Sequence, residues 1–353
     1  MGMNSMQTET AGTRGSLMRR EIAEIPDAVE RLLRDGQAAR QAAAADLRRA
    51  PPRFAISVAR GSSDHVCTYL KYASELLLGL PMASVGPSIA SIYGARLGLA
   101  DSLCLAVSQS GQSPDIVEMT RAAARDGART IAITNAAGSP LASAAHAVLD
   151  IHAGPERSVA ATKTFVTSAV AGLCLLAAWK GDADLQAAIH RLPEHLARAV
   201  AINWPELRER IGAHPSLFTM GRGPAWAIAG EAALKFKETC QLHAESYSSA
   251  EILHGPVSIV GAGFPILAFA AGDAAEPGLV EVAGKVAAMG AQVFVTSDMA
   301  PPASRIAHVR TGHPLTDPLA LIVSFYAMVE RLALARGVDP DLPRHLRKVT
   351  QTL

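Results

Sequence analysis

EAALKFKE, at positions 231–238, sets two carboxylates around an ammonium. On a helix, Glu231, Lys235 and Glu238 fall at i, i+4 and i+7 and share one face, whereas Lys237 points elsewhere. An exposed Glu–Lys pair would contribute only a few tenths of a kcal/mol and carry no chemistry. Ala232, Ala233, Leu234 and Phe236 make much of this helix apolar instead. A partly buried carboxylate beside an ammonium is suited to moving protons near neutral pH.

The second group is SQSGQSPD, at 108–115, between the apolar run 103–107 and a helical pattern that starts at Ile116. Unpaired N–H groups and the positive end of the dipole at a helix start let Ser108, Gln109, Ser110 and Ser113 surround a phosphate with neutral donors. A nucleoside triphosphate loop would need GxxxxGK[ST] and a dinucleotide loop GxGxxG. Neither is present, since Gly221-Arg222-Gly223 is followed by Pro224, Ala225 and Trp226. A small phosphate monoester fits best. A lone Ser-Gly-Ser would read as a cap and turn, but a second hydroxyl pair, Ser62 and Ser63, follows the neighbouring strand. The 11 histidines are scattered, without HExxH or paired His/Cys spacing, so no metal and no cofactor is expected.

An internal repeat positions these residues. The stretch 116–135 aligns without a gap with 279–298, and 57–63 with 218–224 at nearly the same offset. Each copy alternates short apolar runs with helical patterns, with strands expected at 55–58, 82–85, 103–107, 130–134 and 148–152, then at 217–220, 266–269, 293–296 and 307–310. The β-branched runs with Gly or Pro borders suit parallel strands covered on both faces. A helical connector at 181–216 separates the copies. The fold expected is α/β, two tandem parallel sheets flanked by helices as three-layer, flavodoxin-like sandwiches. Its segments are a disordered tail at 1–16, a domain at 17–200 that holds the hydroxyl loops, a domain at 201–340 that bears the helix with Glu231, Lys235 and Glu238, and a tail at 341–353. Where the first copy has SQSGQSPD, the second has AGDAAEPG, with the hydroxyls gone and two carboxylates present. One copy is built to bind an anion and the other is not.

Composition narrows the function classes. The net charge of +1, from 33 basic and 32 acidic residues without a long block of either sign, argues against nucleic acid as a partner. The longest uncharged apolar stretch, 164–179, is shorter than the roughly 18 residues a membrane span needs and reads as a buried helix. The N-terminal residues show no signal pattern. Cys67, Cys104, Cys174 and Cys240 are widely spaced and mostly inside apolar runs, as buried free thiols would be. A cytoplasmic protein with no membrane partner is expected.

The two hydroxyl loops, together with VAATKTF at Val159, EAALKFKE at Glu231, HGP at His254 and PRHLRK at Pro343, resemble the sugar isomerase (SIS) domain family of phosphosugar proteins. The likeness is greatest to the isomerase half of the glutamine:fructose-6-phosphate aminotransferases and runs over about residues 17–348. It implies that Glu238 shuttles a proton between C2 and C1 of a sugar phosphate and that Lys235 beside it orients the reacting groups. It also implies that His254 assists ring opening across a homodimer interface. Val159 and Ala160 would approach the sugar hydroxyls through backbone groups. Lys348, in the closing tail, would reach the sugar carbonyl and can form a Schiff base. Those aminotransferases carry an N-terminal glutaminase with a cysteine nucleophile, and the first cysteine here is Cys67. The expected activity is therefore glucosamine-6-phosphate deamination. Aldose–ketose phosphosugar isomerisation, deamination of another aminosugar or glycated-amine phosphate, and a sugar-phosphate sensor without turnover stand as alternatives. Arg347, where the synthases have alanine, and the blunt end 351–353 are departures that bear on the substrate.

Overall fold

The computed structural model describes residues 15–212 and 214–348 and holds two parallel sheets. The first contains β1 (Phe54–Val58), β2 (Met82–Ser84), β3 (Ser102–Val107), β4 (Arg129–Thr134) and β5 (Ala147–Asp150) in the order β2-β1-β3-β4-β5. The second contains β6 (Ser216–Gly221), β7 (His243–Ser248), β8 (Pro265–Phe269) and β9 (Gln292–Val295) in the order β7-β6-β8-β9. Both sheets thus start from a central strand, step to one edge and return to the other side, as the internal repeat requires.

The helices are α1 (Leu17–Ala23), α2 (Ile25–Asp35), α3 (Gln37–Arg49), α4 (Ser62–Leu78), α5 (Ser88–Ser91), α6 (Pro114–Arg125) and α7 (Pro140–Ala144), then α8 (Lys163–Lys180), α9 (Ala183–His190), α10 (Leu192–Val200) and α11 (Pro205–Ile211), and finally α12 (Pro224–Cys240), α13 (Glu276–Ala288) and α14 (Asp317–Ala335). Inner helices α4, α8, α12 and α14 pack on one another and share one continuous apolar core that draws on both sheets. The outer face of the first sheet is covered by α5, α6 and α7 and that of the second by α13 and the 3-10 turns Glu251–His254 and Pro256–Ile259. The stretch expected to be a buried helix is α8, in which every residue but Lys180 is buried. Each fully buried Leu, Val or Phe contributes about 1.5–3 kcal/mol. Helix α14, with a mean hydropathy of 1.6, is long and apolar enough to cross a membrane, but 83% of that stretch is buried inside the protein. It packs on α10 and α12.

The structure differs from the sequence expectations in three places. Strand β7 was not anticipated, because HAESYS lacks an apolar run; it is a sheet edge, and only one of its residues is buried. Residues 307–310 form no strand. The chain there makes a single bridge, between Val295 and Arg305, and the polar groups that follow serve the start of α14 instead. Arg310 donates to the Ala270 carbonyl (2.7 Å) and pairs with Glu276 and Asp317, and Thr311 donates from N and Oγ1 to Asp317 Oδ1 (both 2.7 Å). Third, the expected disordered tail at 1–16 overlaps an ordered cap. Ser16 Oγ accepts from the Arg19 N–H (2.9 Å) and donates to Glu330 Oε1 (2.7 Å). Residues 1–14 lie outside the described residues, as do 351–353.

Candidate active site

The site is assembled by the antiparallel pair α4 and α12. Lys235 is fully buried on α12, and its Nζ lies 2.5 Å from Glu238 Oε2 and 3.3 Å from Glu231 Oε1, so the three residues share one face as their spacing predicts. The same ammonium donates to Ser62 Oγ (2.9 Å) at the start of α4. One buried cation therefore joins the helix of the second half to a hydroxyl loop of the first. Burial disfavours that charge, yet Glu231 and Glu238 outweigh it and push the Lys235 pKa up. Glu231 has no exposed surface. Burial pushes its carboxyl up to about 7 against the attraction of Lys235, while Tyr326 on α14 donates to its Oε1 (2.9 Å). Lys237 faces away and donates to the Ala244 carbonyl (3.2 Å).

Residues 108–113 form the turn from β3 to α6. Ser113 sits at the N-cap of α6, and its side chain makes no capping bond. Ser108 Oγ accepts from the Gly111 N–H (3.2 Å) and Ser110 Oγ from the Gln112 N–H (3.3 Å). The Gln109 carbonyl is pinned by the Asn135 N–H (3.1 Å), which ties the turn to β4. Gly111 has φ +62°, and a Cβ there would come within 2.1 Å of Ser139 Oγ, so only glycine permits this turn. Arg60, which precedes the Ser62–Ser63 pair, pairs with Asp115 in the first turn of α6, so the two hydroxyl loops adjoin. Ser63 is half-buried beside Ser62.

A third element is the loop at 151–162. Lys348 Nζ donates to Glu156 Oε2 (2.9 Å) and to the Ser158 carbonyl (2.6 Å), placing the tail lysine against the residues just before Val159 and Ala160. Glu156 also accepts from Thr162 N (3.0 Å), Thr164 N (3.1 Å) and Thr164 Oγ1 (2.6 Å). Burial opposes its charge, but Lys348 and these donors hold the Glu156 carboxyl below its ordinary range. The loop is braced from α1, where buried Glu21 accepts from the N–H groups of Arg157 and Ser158, and by buried Lys163, which pairs with Glu24 (2.5 Å). The tail in turn caps α1, because Asp341 accepts from Leu17 N (2.6 Å) and Met18 N (2.8 Å). The Val159 N–H is directed to the Asp341 carbonyl (3.4 Å), and Ala160 is buried.

His254 is not brought to this group within the chain. It stands exposed on a 3-10 turn, and its imidazole makes no hydrogen bond or ion pair among the described residues. Four further residues belong near the site without having been singled out from sequence. Glu156 and Glu21 brace the loop, and Tyr326 stands within electrostatic reach of Glu231, Glu156 and Glu238, whose charges add to burial in pushing its phenol well up. His65, one turn after Ser62 on α4, is held neutral, its pKa pushed down to about 4 by burial and the charge of Lys235. Its spacing from Ser62 was a usable signal; Tyr326 lies in an apolar run that offered none.

Residues 52–178 and 211–330 match the model of the SIS domain, one segment on each sheet. This chain belongs to the SIS-domain family. The SIS protein is 34% identical over 311 residues to the glutamine–fructose-6-phosphate aminotransferase (isomerizing) of Symbiobacterium thermophilum, across 82% of this chain and 50% of the relative. It thus spans about half the length of the curated relatives it matches. A Silicibacter pomeroyi protein whose crystal structure carries a provisional assignment as a phosphosugar isomerase is 66% identical, with a TM-score of 0.90 over 92% of this chain and 100% of that one. The glucosamine-6-phosphate deaminase of Thermotoga maritima shares the fold at 18% identity, with a TM-score of 0.76 over 96% of this chain and 100% of its own.

Proposed function

We propose that this SIS protein is a glucosamine-6-phosphate deaminase that yields fructose 6-phosphate and ammonia. The observation that carries the reading is Lys235, which joins Glu238 to Ser62 and so sets a proton-moving carboxylate beside the hydroxyl loops. Ser63, Ser108, Gln109, Ser110 and Ser113 hold the 6-phosphate with neutral donors, and Val159 and Ala160 face the sugar through their backbone. After ring opening, Glu238 takes the C2 proton to give an enolamine and returns it to C1 to give a ketimine at C2. Water adds to the ketimine carbon, the amine leaves as ammonia, and the C2 carbonyl of the ketose remains. Lys348 offers an amine at the same loop and can exchange with the departing nitrogen through an imine. The exposed His254, unpaired among the described residues, supports a homodimer in which a second copy supplies it for ring opening, since imidazole takes and returns protons near neutral pH.

A second reading is interconversion of phosphosugars that lack nitrogen, favoured by the provisional assignment of the 66% identical relative. One assay separates them. Purified protein with glucosamine 6-phosphate and no glutamine is expected to release ammonia and fructose 6-phosphate in equal amounts. Ketose formation from aldose phosphates with no ammonia from any aminosugar phosphate establishes the second reading, and saturable binding without turnover removes both.

A further inference from the structure

A cleft of about 830 Å³ opens beyond the carboxyl ends of β6, β7 and β8, the position in the second sheet that the hydroxyl loops occupy in the first. In open parallel sheets such crevices are where ligands settle, and the volume falls in the range of small-molecule sites. The backbone entering it repeats that of the first half. Gly223 before α12 has φ 57° and ψ −137°, and Gly61 before α4 has φ 55° and ψ −133°. The chemistry presented is different. Ser62 and Ser63 follow Gly61, but Pro224 and Ala225 follow Gly223, so there is no hydroxyl and one N–H fewer. On the neighbouring turn the Glu276 carboxylate is committed to Arg310 and Ser297. This cleft is not a second phosphate cradle.

Its walls and rim describe another ligand. Trp226 and Tyr72 meet edge to face at 6.5 Å, and Leu76, Leu77 and Leu315 extend an apolar wall around them. Leu76, 66% exposed, adds open apolar surface to that wall. The rim carries charges of both signs. Arg222 is anchored on Ser248 Oγ (3.1 Å), and Glu251 and Asp273 line the same opening. Asp273 Oδ2 lies toward Gly223, next to Arg222 in the chain. An apolar wall with a guanidinium and two carboxylates at its mouth matches a zwitterion with an apolar body better than an anion or a sugar.

We propose that this cleft is a second ligand site, for a free α-amino acid with an aromatic or branched side chain. Its carboxylate meets Arg222, its ammonium meets Asp273 and Glu251, and its side chain lies against Trp226 and Tyr72. Within one chain the site stands apart from the hydroxyl loops, and it does not depend on which phosphosugar is turned over there. Helices α4 and α12 nonetheless run between the two places. Ser62 begins α4 and Tyr72 lies farther along it, while Trp226 begins α12 and Lys235 and Glu238 lie toward its end.

The test is calorimetric titration of the full chain with L-phenylalanine, checked by the fluorescence of Trp226. Phenethylamine and 3-phenylpropionate, each lacking one charge, are titrated alongside. Saturable binding at one site per chain with Kd of about 1 mM or tighter is expected. Arg222→Ala should weaken phenylalanine about tenfold and leave phenethylamine unchanged, and Asp273→Asn should weaken phenylalanine and leave 3-phenylpropionate unchanged. Both variants should keep the parent unfolding midpoint, and Trp226→Phe gives a second, conservative probe of the wall. No saturable binding up to about 20 mM, binding that glucosamine 6-phosphate displaces competitively, or phenylalanine affinity unchanged in both charge variants would overturn the proposal.

Discussion

Replacing Lys235 with methionine tests the buried charge group directly. The ammonium is 2.5 Å from Glu238 and 3.3 Å from Glu231, and the side chains of Lys235 and Glu231 have no exposed surface. With an effective dielectric of about 20, those two attractions amount to about 7 and about 5 kcal/mol. Most of this only offsets the several kcal/mol each buried ion loses on leaving water. Methionine keeps the stem volume but leaves Glu231 buried without a counter-charge, a change that costs about 3–5 kcal/mol in comparable sites. Neutralising that carboxylate as well, in Lys235→Met/Glu231→Gln, should recover about half of the loss, because a neutral amide can still accept from Tyr326 Oη. Urea unfolding at neutral pH measures both variants, and ammonia release measures the site. Ammonia release should fall by about a hundredfold or more in both, since neither restores the link to Ser62. A single variant within about 1 kcal/mol of the parent, or a double variant no more stable than the single, would refute the claim that Lys235 holds this group together.

Other outcomes follow from the same geometry. Gly111→Ala must place a Cβ against Ser139 in a left-handed turn, so it should lose about 2–4 kcal/mol and raise KM for the phosphosugar more than it lowers kcat, as steady-state kinetics would show. Glu238→Gln should abolish ammonia release while phosphosugar binding, followed by calorimetry, persists. Two buried groups tilt stability with pH in opposite senses. Glu231, raised from 4.5 to about 7, binds a proton in the folded state first, so its contribution is complete below pH 4.5 and is lost as pH rises through 7. His65, lowered from 6.5 to about 4, contributes above pH 6.5 and loses that contribution as pH falls through 4. Urea midpoints between pH 5 and 7 should therefore shift toward stability rising with pH in Glu231→Gln and falling with pH in His65→Gln. If His254 acts in a partner's site, mixing inactive His254→Asn with inactive Glu238→Gln subunits should regenerate activity through hybrid dimers.

Much of the architecture was legible because it rests on local pattern. The apolar runs bounded by Gly or Pro marked seven of the nine strands directly, and an eighth, β5, appeared with its limits shifted toward the C-terminus. Strand β7 escaped because an edge strand needs little apolar content, and residues 307–310 misled because Val309 and its neighbours look apolar although Arg310 is drawn away to Glu276 and Asp317. The shared face of Glu231, Lys235 and Glu238 followed from helical geometry alone. The complete burial of Lys235 and Glu231 did not, since that depends on α4 and α14 closing over α12.

The sequence by itself determined what is periodic or contiguous: two α/β copies, two hydroxyl turns, and one helix with an acid–base–acid face. Tertiary structure alone decided which of these meet. Ser62 and Lys235 are separated by 173 positions, and Lys348 and Glu156 by 192. Such contacts arise when apolar faces of distant helices are buried together. A chain read residue by residue records the faces but not their partners, because burial energy depends on area and shape rather than on order along the backbone.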